Sequence, residues 1–209
     1  MDLPVNLPEK LYLLAYDPQR GRLTHTNNLD LVLRAAALTE LLRRGLIRDD
    51  GRHPAAVGGT ADGLDPLSAA LLEQISQGRR RSWKSWIGRQ RMSARVVRDG
   101  LAAAGRIRVE EHRVLGLFPV ARVTLPEPRV RKALTESITS ALSGPLSRVD
   151  PADAALVALV DAARLGSVLT WRQRREFRTR IDKLAPAAGP VPRALRRAIN
   201  AQSADGGAG

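Results

Sequence analysis

Arg34 has the most unusual neighbours in this chain. It sits in the middle of Asn28–Gly45, NLDLVLRAAALTELLRRG. That stretch is apolar on almost every face, with Leu29, Leu31, Val32, Leu33, Ala35, Ala36, Ala37, Leu38, Leu41 and Leu42. A surface helix keeps a polar side, so a helix without one is expected to be buried. A guanidinium carried into such a place cannot shed its charge and must meet an anion. Two sources are open: a carboxylate from another helix, or an anionic ligand reached at the edge of the core.

A second group of cations lies in 79–98, which holds Arg79, Arg80, Arg81, Lys84, Arg89, Arg91, Arg95 and Arg98 with no acid among them. Gly88 divides this segment into two helical pieces, the second running over 89–104 to a stop at Gly105. On that piece Arg91, Arg95 and Arg98 fall at i, i+4 and i+7 and share one face. A row of like charge costs helix stability, so it invites an anion; the plainer alternative is a solvated face. Trp83 and Trp86, set among these cations, are read as core anchors.

Other chemistry is thinly represented. The histidines His25, His53 and His112 are scattered, and no HExxH, GxSxG, P-loop or GxGxxG spacing occurs. There is no cysteine, hence no disulfide and no thiolate ligand or nucleophile. The carboxylates fall mostly at caps and turns. The expectation is a protein that is not an enzyme and has neither metal nor cofactor.

The chain has 209 residues, a net charge of +13 and a sequence pI of about 11.4. Such a balance implies a polyanionic partner, either nucleic acid or an acidic membrane surface. Arginine dominates, since only Lys10, Lys84, Lys132 and Lys183 are lysine. Codon bias in a GC-rich bacterial genome and fork-like phosphate contacts both produce this pattern. No apolar run reaches the roughly 18 to 20 residues of a membrane span, and MDLPVNLPEK lacks the pattern of a signal peptide. A cytoplasmic protein that meets membrane only from the surface is expected.

Aromatic residues make up only 3% of the chain, so the core must be built from Leu, Val and Ala, which favour helices. Helices are expected over 7–16, over the central stretch with Asn27 or Asn28 as N-cap and Asp30 in its first turn, and over 66–77 between Asp65 and Gly78. Between them lie a turn at 17–22, a short strand at 46–48 and a loop over 49–65 with room for a minor hairpin. Alternation in 106–111, followed by a second extended segment over 113–125, predicts the one sizeable β-hairpin. Its apolar part, Val114, Leu115, Leu117, Phe118 and Val120, either packs on the helices, makes a dimer contact or dips into a membrane. Further helices are expected over 126–143, from Asp150-Pro151 to Arg164, and over 171–184 behind a Thr170–Gln173 capping box. The helix over 171–184 would bury Trp171, Phe177, Ile181 and Leu184 beneath a basic outer face. A short helix over 192–201 closes a single mainly α domain, 1–201, and 202–209 is expected to be a disordered tail.

The order of these pieces resembles the Golgi phosphoprotein 3 family of peripheral membrane proteins, in its bacterial branch, over residues 7–184. The pieces that carry the resemblance are LPEKLYLLAYDPQRGRL, LRAAALTELLRRGLI, RVVRDGLAAAGRIRVEEHRVLGLFPVARVTL and DPADAALVALVDAARL. The resemblance implies a central helix bundle with one protruding hairpin. In the family's eukaryotic members it implies binding of phosphatidylinositol 4-phosphate and an adaptor role for membrane enzymes. The family's head-group pocket uses a Trp, an Arg on the central helix and two Arg three apart before the hairpin. Those positions fall here on His25, Arg34, Arg91 and Ala94, with Arg95 adjacent to the last.

The expected function is therefore a peripheral membrane-binding domain for a phosphorylated anionic head group, with Arg34, Arg91, Arg95 and His25 as its pocket. Leu115, Leu117 and Phe118 are the expected membrane or homo-oligomer contact. A nucleic-acid-binding protein using 79–98 and the hairpin is the less favoured alternative, because no compact three-helix unit precedes the hairpin. A ligand-free oligomerising scaffold, with Arg34 paired to a core carboxylate, is the third.

Overall fold

The computed structural model describes residues 6–24, 26–78, 80–89, 92–114, 118–125 and 127–205; for 111–114, 118–122 and 205 it describes the backbone alone. In chain order the helices among these residues are α1 (Leu7–Ala15), α2 (Leu29–Arg43), α3 (Pro66–Gln77), α4 (Trp83–Gly88), α5 (Ser93–Ala103), α6 (Pro128–Ser143), α7 (Pro151–Ala162), α8 (Trp171–Glu176), α9 (Arg178–Leu184) and α10 (Val191–Asp205). Three small antiparallel pairs complete the fold: β1 (Tyr16–Asp17) with β2 (Arg22–Leu23), β3 (Ile47–Asp49) with β4 (Pro54–Ala56), and β5 (Arg108–Val114) with β6 (Phe118–Thr124). The protein is a single, mainly α domain.

Helix α2 packs against α1, α3, α4, α5, α7 and α10. Enclosure on all sides is why the sequence keeps no polar face there, and Leu29 through Leu41 are buried apart from Asp30. The Ala35–Ala36–Ala37 run lets neighbouring helices approach closely. Leu, Val and Ala fill most of the core, as an aromatic-poor composition requires, and Trp83 and Trp86 are indeed buried within it.

Side-chain caps set several helix starts. Asn6 accepts from Glu9 N at 3.0 Å at α1, and Asp150 accepts from Ala152 N at 2.6 Å at α7. Asp65 begins α3 by accepting from the backbone of Leu67 and Ser68, each at 3.1 Å, while its other oxygen accepts from Ser68 Oγ at 2.5 Å. The 106–125 hairpin forms with register Arg108↔Thr124 to Val114↔Phe118. Its base is anchored in the core by Ile107 and Val123.

Several expectations need correction. A 3₁₀ turn over Thr26–Asn28 leads into α2, and Asn28 makes no side-chain cap bond. Helix α5 starts at Ser93, not at residue 89, because Met92 takes a left-handed φ of 104° at its cap. Of the expected three-arginine row, α5 carries only Arg95 and Arg98, and Arg91 lies outside the described residues. The helix over 171–184 is broken at Phe177 into α8 and α9, and Trp171 is 71% exposed rather than core. Helix α10 continues through Asp205 where a disordered tail was expected; residues 206–209 lie outside the described region.

The Asp65 cap generates a test. Asp65→Ala leaves two backbone donors without their acceptor and is expected to cost about 1 kcal/mol in urea unfolding, whereas Asp65→Asn keeps the cap acceptor and stays close to wild type. Burial raises the Asp65 carboxyl above its ordinary value, against the pull of its hydrogen bonds. The native state then holds that proton more tightly than the unfolded chain, so this group's contribution falls as pH rises from about 4 through the folded value. Asp65→Asn should remove that slope.

Candidate functional site

The face of α2 that carries Asp30 and Arg34, one turn apart, looks onto the junction of α4 and α5. Asp30 Oδ1 accepts from the backbone N–H of Ala94 at 2.7 Å and so supplies the cap that α5 lacks from its own Met92. Arg34 is 1% exposed, and its Nε donates to the carbonyl of Trp86 at 2.8 Å. That carbonyl is in the last turn of α4, where helix acceptors have no partner within the helix. The Nη2 of Arg34 is buried with no hydrogen-bond partner among the described residues.

No ion pair to Arg34 is found among the described residues. The two buried carboxylates among the described residues, Glu40 and Asp65, are both committed elsewhere. Glu40 receives Arg44 Nε at 2.7 Å and the Leu7 backbone N–H at 3.3 Å, and Asp65 caps α3. Burial first, and then the charge of Arg89, push the pKa of the Arg34 guanidinium down to about 10, with Asp30 partly offsetting both. It remains a cation at neutral pH, desolvated and only half satisfied. Among the described residues, no core carboxylate neutralises Arg34.

Other buried or half-buried arginines are treated differently. Arg131 donates to the carbonyls of Tyr16 at 2.7 Å and Ser167 at 3.1 Å. Arg180 donates to Ala141 and Gly144, the exposed carbonyl end of α6. These two act as staples between chain segments, using backbone acceptors.

Arg95 lies in the first turn of α5 with its side chain 63% exposed, and its Nε is 3.7 Å from Asp99. Arg98 also bonds Asp99, at 2.8 and 2.9 Å. The charge of 79–98 is thus answered in part by the acid immediately after it, which a window closed at residue 98 overlooks. His25, Arg91, Leu115 and Leu117 lie outside the described residues, as does the side chain of Phe118. Sequence reasoning missed Arg89, whose charge Arg34 feels, although it stands in the same basic segment. It also missed the Trp86 carbonyl, for which no side-chain signal exists.

A helical domain with a strongly basic composition, built around one enclosed helix that carries a half-satisfied cation, is the class of protein defined here. The chain belongs to the Golgi phosphoprotein 3 (GPP34) family, whose model matches residues 7–202. Comparison with curated proteins gives no match. Among the described residues no helix is long and apolar enough to cross a membrane, and no cluster of His, Asp or Glu could hold a metal ion.

The contrast between arginines is measurable. Arg131→Met strips donors from two carbonyls and is expected to cost about 2 kcal/mol in urea unfolding. Arg34→Met removes an uncompensated buried charge with little change of volume. It should leave stability unchanged or raise it by about 1 kcal/mol. A loss at Arg34 as large as that at Arg131 would make Arg34 a structural staple instead.

Proposed function

We propose that this protein binds membranes peripherally by taking the phosphorylated head group of an anionic lipid, of the phosphatidylinositol 4-phosphate kind, and serves there as an adaptor. The observation that carries this reading is the buried Nη2 of Arg34, a charged donor without an acceptor among the described residues. An unmade bond of this kind costs stability, and a phosphate oxygen is the acceptor that would recover it. In this reading the head group arrives through the α4–α5 connection, residues 89–92. Arg34 and Arg91 hold the phosphate, Arg95 exchanges Asp99 for it, and His25 lines the entrance. Arg89 adds attraction. Family membership supports the assignment, because the Arg34 and Arg91 positions match the head-group arginines that the resemblance implies.

The rest of the surface serves the same end. A net charge of +13 draws the protein to an anionic leaflet, at about 1 kcal/mol per cation near the surface. Leu115, Leu117 and Phe118 enter the interface or meet a second copy. No chemical step is part of this role, and its setting is the cytoplasmic side of a membrane.

Vesicle flotation tests it. Wild-type protein should float with phosphatidylcholine vesicles containing phosphatidylinositol 4-phosphate, and Arg34→Met plus Arg91→Gln should weaken this by about tenfold or more. Unchanged flotation in that double variant defeats the pocket. Steeply salt-dependent binding to duplex DNA without any lipid preference would move the protein to the nucleic-acid class.

A further inference from the structure

A second cationic site stands apart from Arg34, using none of its residues. Where the end of α7 meets α8, α9 and α10, a pocket of about 490 Å³ opens to solvent. Asp161 of α7 forms its base, in ion pairs with Arg174 at 3.5 Å and with Arg196 of α10. The pairing with Arg174 is incomplete, since its Nε and Nη2 are both buried and both lack a hydrogen-bond partner. Arg174 is a largely buried guanidinium, close to Asp161, with two nitrogens that lack a hydrogen-bond acceptor among the described residues. Burial lowers its affinity for its own proton, Asp161 opposes that shift, and the charge of Arg164 adds to it.

The rim is equally unusual. Trp171 is 71% exposed, the most exposed of the large apolar residues described. The guanidinium of Arg175 lies over its ring, 5.7 Å from the centroid, a cation–π distance. Helix α8, which presents both residues, buries none of its side chains fully. Its start is nonetheless pinned by the Thr170–Gln173 capping box, with contacts of 3.0 and 3.3 Å. Arg178 also lines the pocket and has no ion-pair partner among the described residues. Four arginines against Asp161 and Asp182 leave an excess of two positive charges.

We propose that this pocket is a separate binding site for a phosphate monoester, with the phosphate held by Arg174, Arg178 and Arg196 and the esterified group laid against Trp171. A monoester phosphate carries close to two negative charges at neutral pH, which matches the excess. Its oxygens offer the acceptors that Arg174 lacks, and guanidinium forks suit it geometrically. Asp161 holds Arg174 and Arg196 from behind. Trp171 gives the flat apolar contact that an isolated inorganic anion would not use. Both a free phosphorylated compound and the head group of phosphatidic acid have this chemistry.

Trp171 itself reports on the site, because Trp83 and Trp86 are 5% and 3% exposed and their emission responds little to added solutes. Full-length protein is titrated with inorganic phosphate, with phenyl phosphate, and with phosphatidylcholine vesicles with or without phosphatidic acid, following tryptophan emission. A saturable change is expected with phenyl phosphate at lower concentration than with inorganic phosphate. The change should vanish in Trp171→Phe, and Arg175→Gln plus Arg178→Gln, both exposed positions, should shift its midpoint by about tenfold or more. Arg34→Met should leave it in place. A response to phosphatidic acid vesicles identifies a lipid source, and a response to the soluble esters alone identifies a free one. No saturable response to any probe overturns the proposal, as does a response that persists in Trp171→Phe or is unmoved in the double arginine variant. Loss of the response in Arg34→Met would overturn the separateness of the two sites.

Discussion

Complete enclosure of α2 is the constraint on which this structure depends. Six helices dock on it, so every side chain it carries between Leu31 and Leu41 must be acceptable to a dry interior. Two of those side chains are charged, and they meet opposite fates. Glu40 is met by the Arg44 guanidinium and by the first backbone N–H of α1, so its charge ties the two most central helices together. Arg34 donates from Nε to one carbonyl, and its buried Nη2 has no hydrogen-bond partner among the described residues. A cation left half satisfied in a low-dielectric place is expensive. Its position beside the α4–α5 junction, where Asp30 already caps α5, puts that cost at a boundary between helices rather than in the middle of packed apolar side chains.

The basic character of the chain divides into parts with different physical consequences. Arg131 and Arg180 are structural, the first donating to carbonyls of two separate segments and the second to the carbonyl end of α6. Pairs such as Arg95–Asp99 and Lys132–Glu136 are exposed and screened, and exposed pairs of this kind contribute little. The unpaired remainder sets a long-range field that favours anionic surfaces. Only Arg34, Arg43 and Arg174 keep buried donors without partners among the described residues. It is this small subset, not the total charge, that distinguishes candidate sites from a generally sticky surface.

Backbone conformation contributes at two points. Met92 is left-handed where α5 begins, which ends any continuity with the basic segment before it. Arg164 is left-handed after α7, where the bonds Arg164 N to Asp161 O and Leu165 N to Val160 O close the helix. That position ordinarily favours glycine. An arginine there carries conformational cost, and its charge is felt by Arg174 in the pocket. Both irregular residues thus lie next to the two groups of half-satisfied cations.

Much of this was legible in the residues. An apolar stretch with a single interior arginine could only be a buried helix, because no surface would tolerate that pattern, and it is one. Asp65-Pro66 and Asp150-Pro151 mark helix starts because a short acceptor followed by a residue with no N–H suits the first turn. Alternation in 106–111 and the extended segment over 113–125 similarly pointed to paired strands, which form over Arg108–Val114 and Phe118–Thr124. What the residues could not reveal depended on atoms brought together from far apart in the chain. The partner of Arg34 is a backbone carbonyl 52 positions away, and carbonyls are the same in every residue. The cap of α5 comes from Asp30, 64 positions earlier, so no local pattern announces where that helix begins. Trp171 reads as core by type and spacing, yet it is exposed because α8 and α9 part at Phe177 and α8 turns away from the interior. Local sequence determined which segments are helical and which helix is central, since periodicity and capping act within a few residues. Tertiary packing alone decided which charges are neutralised, because that depends on which helix ends are brought to meet.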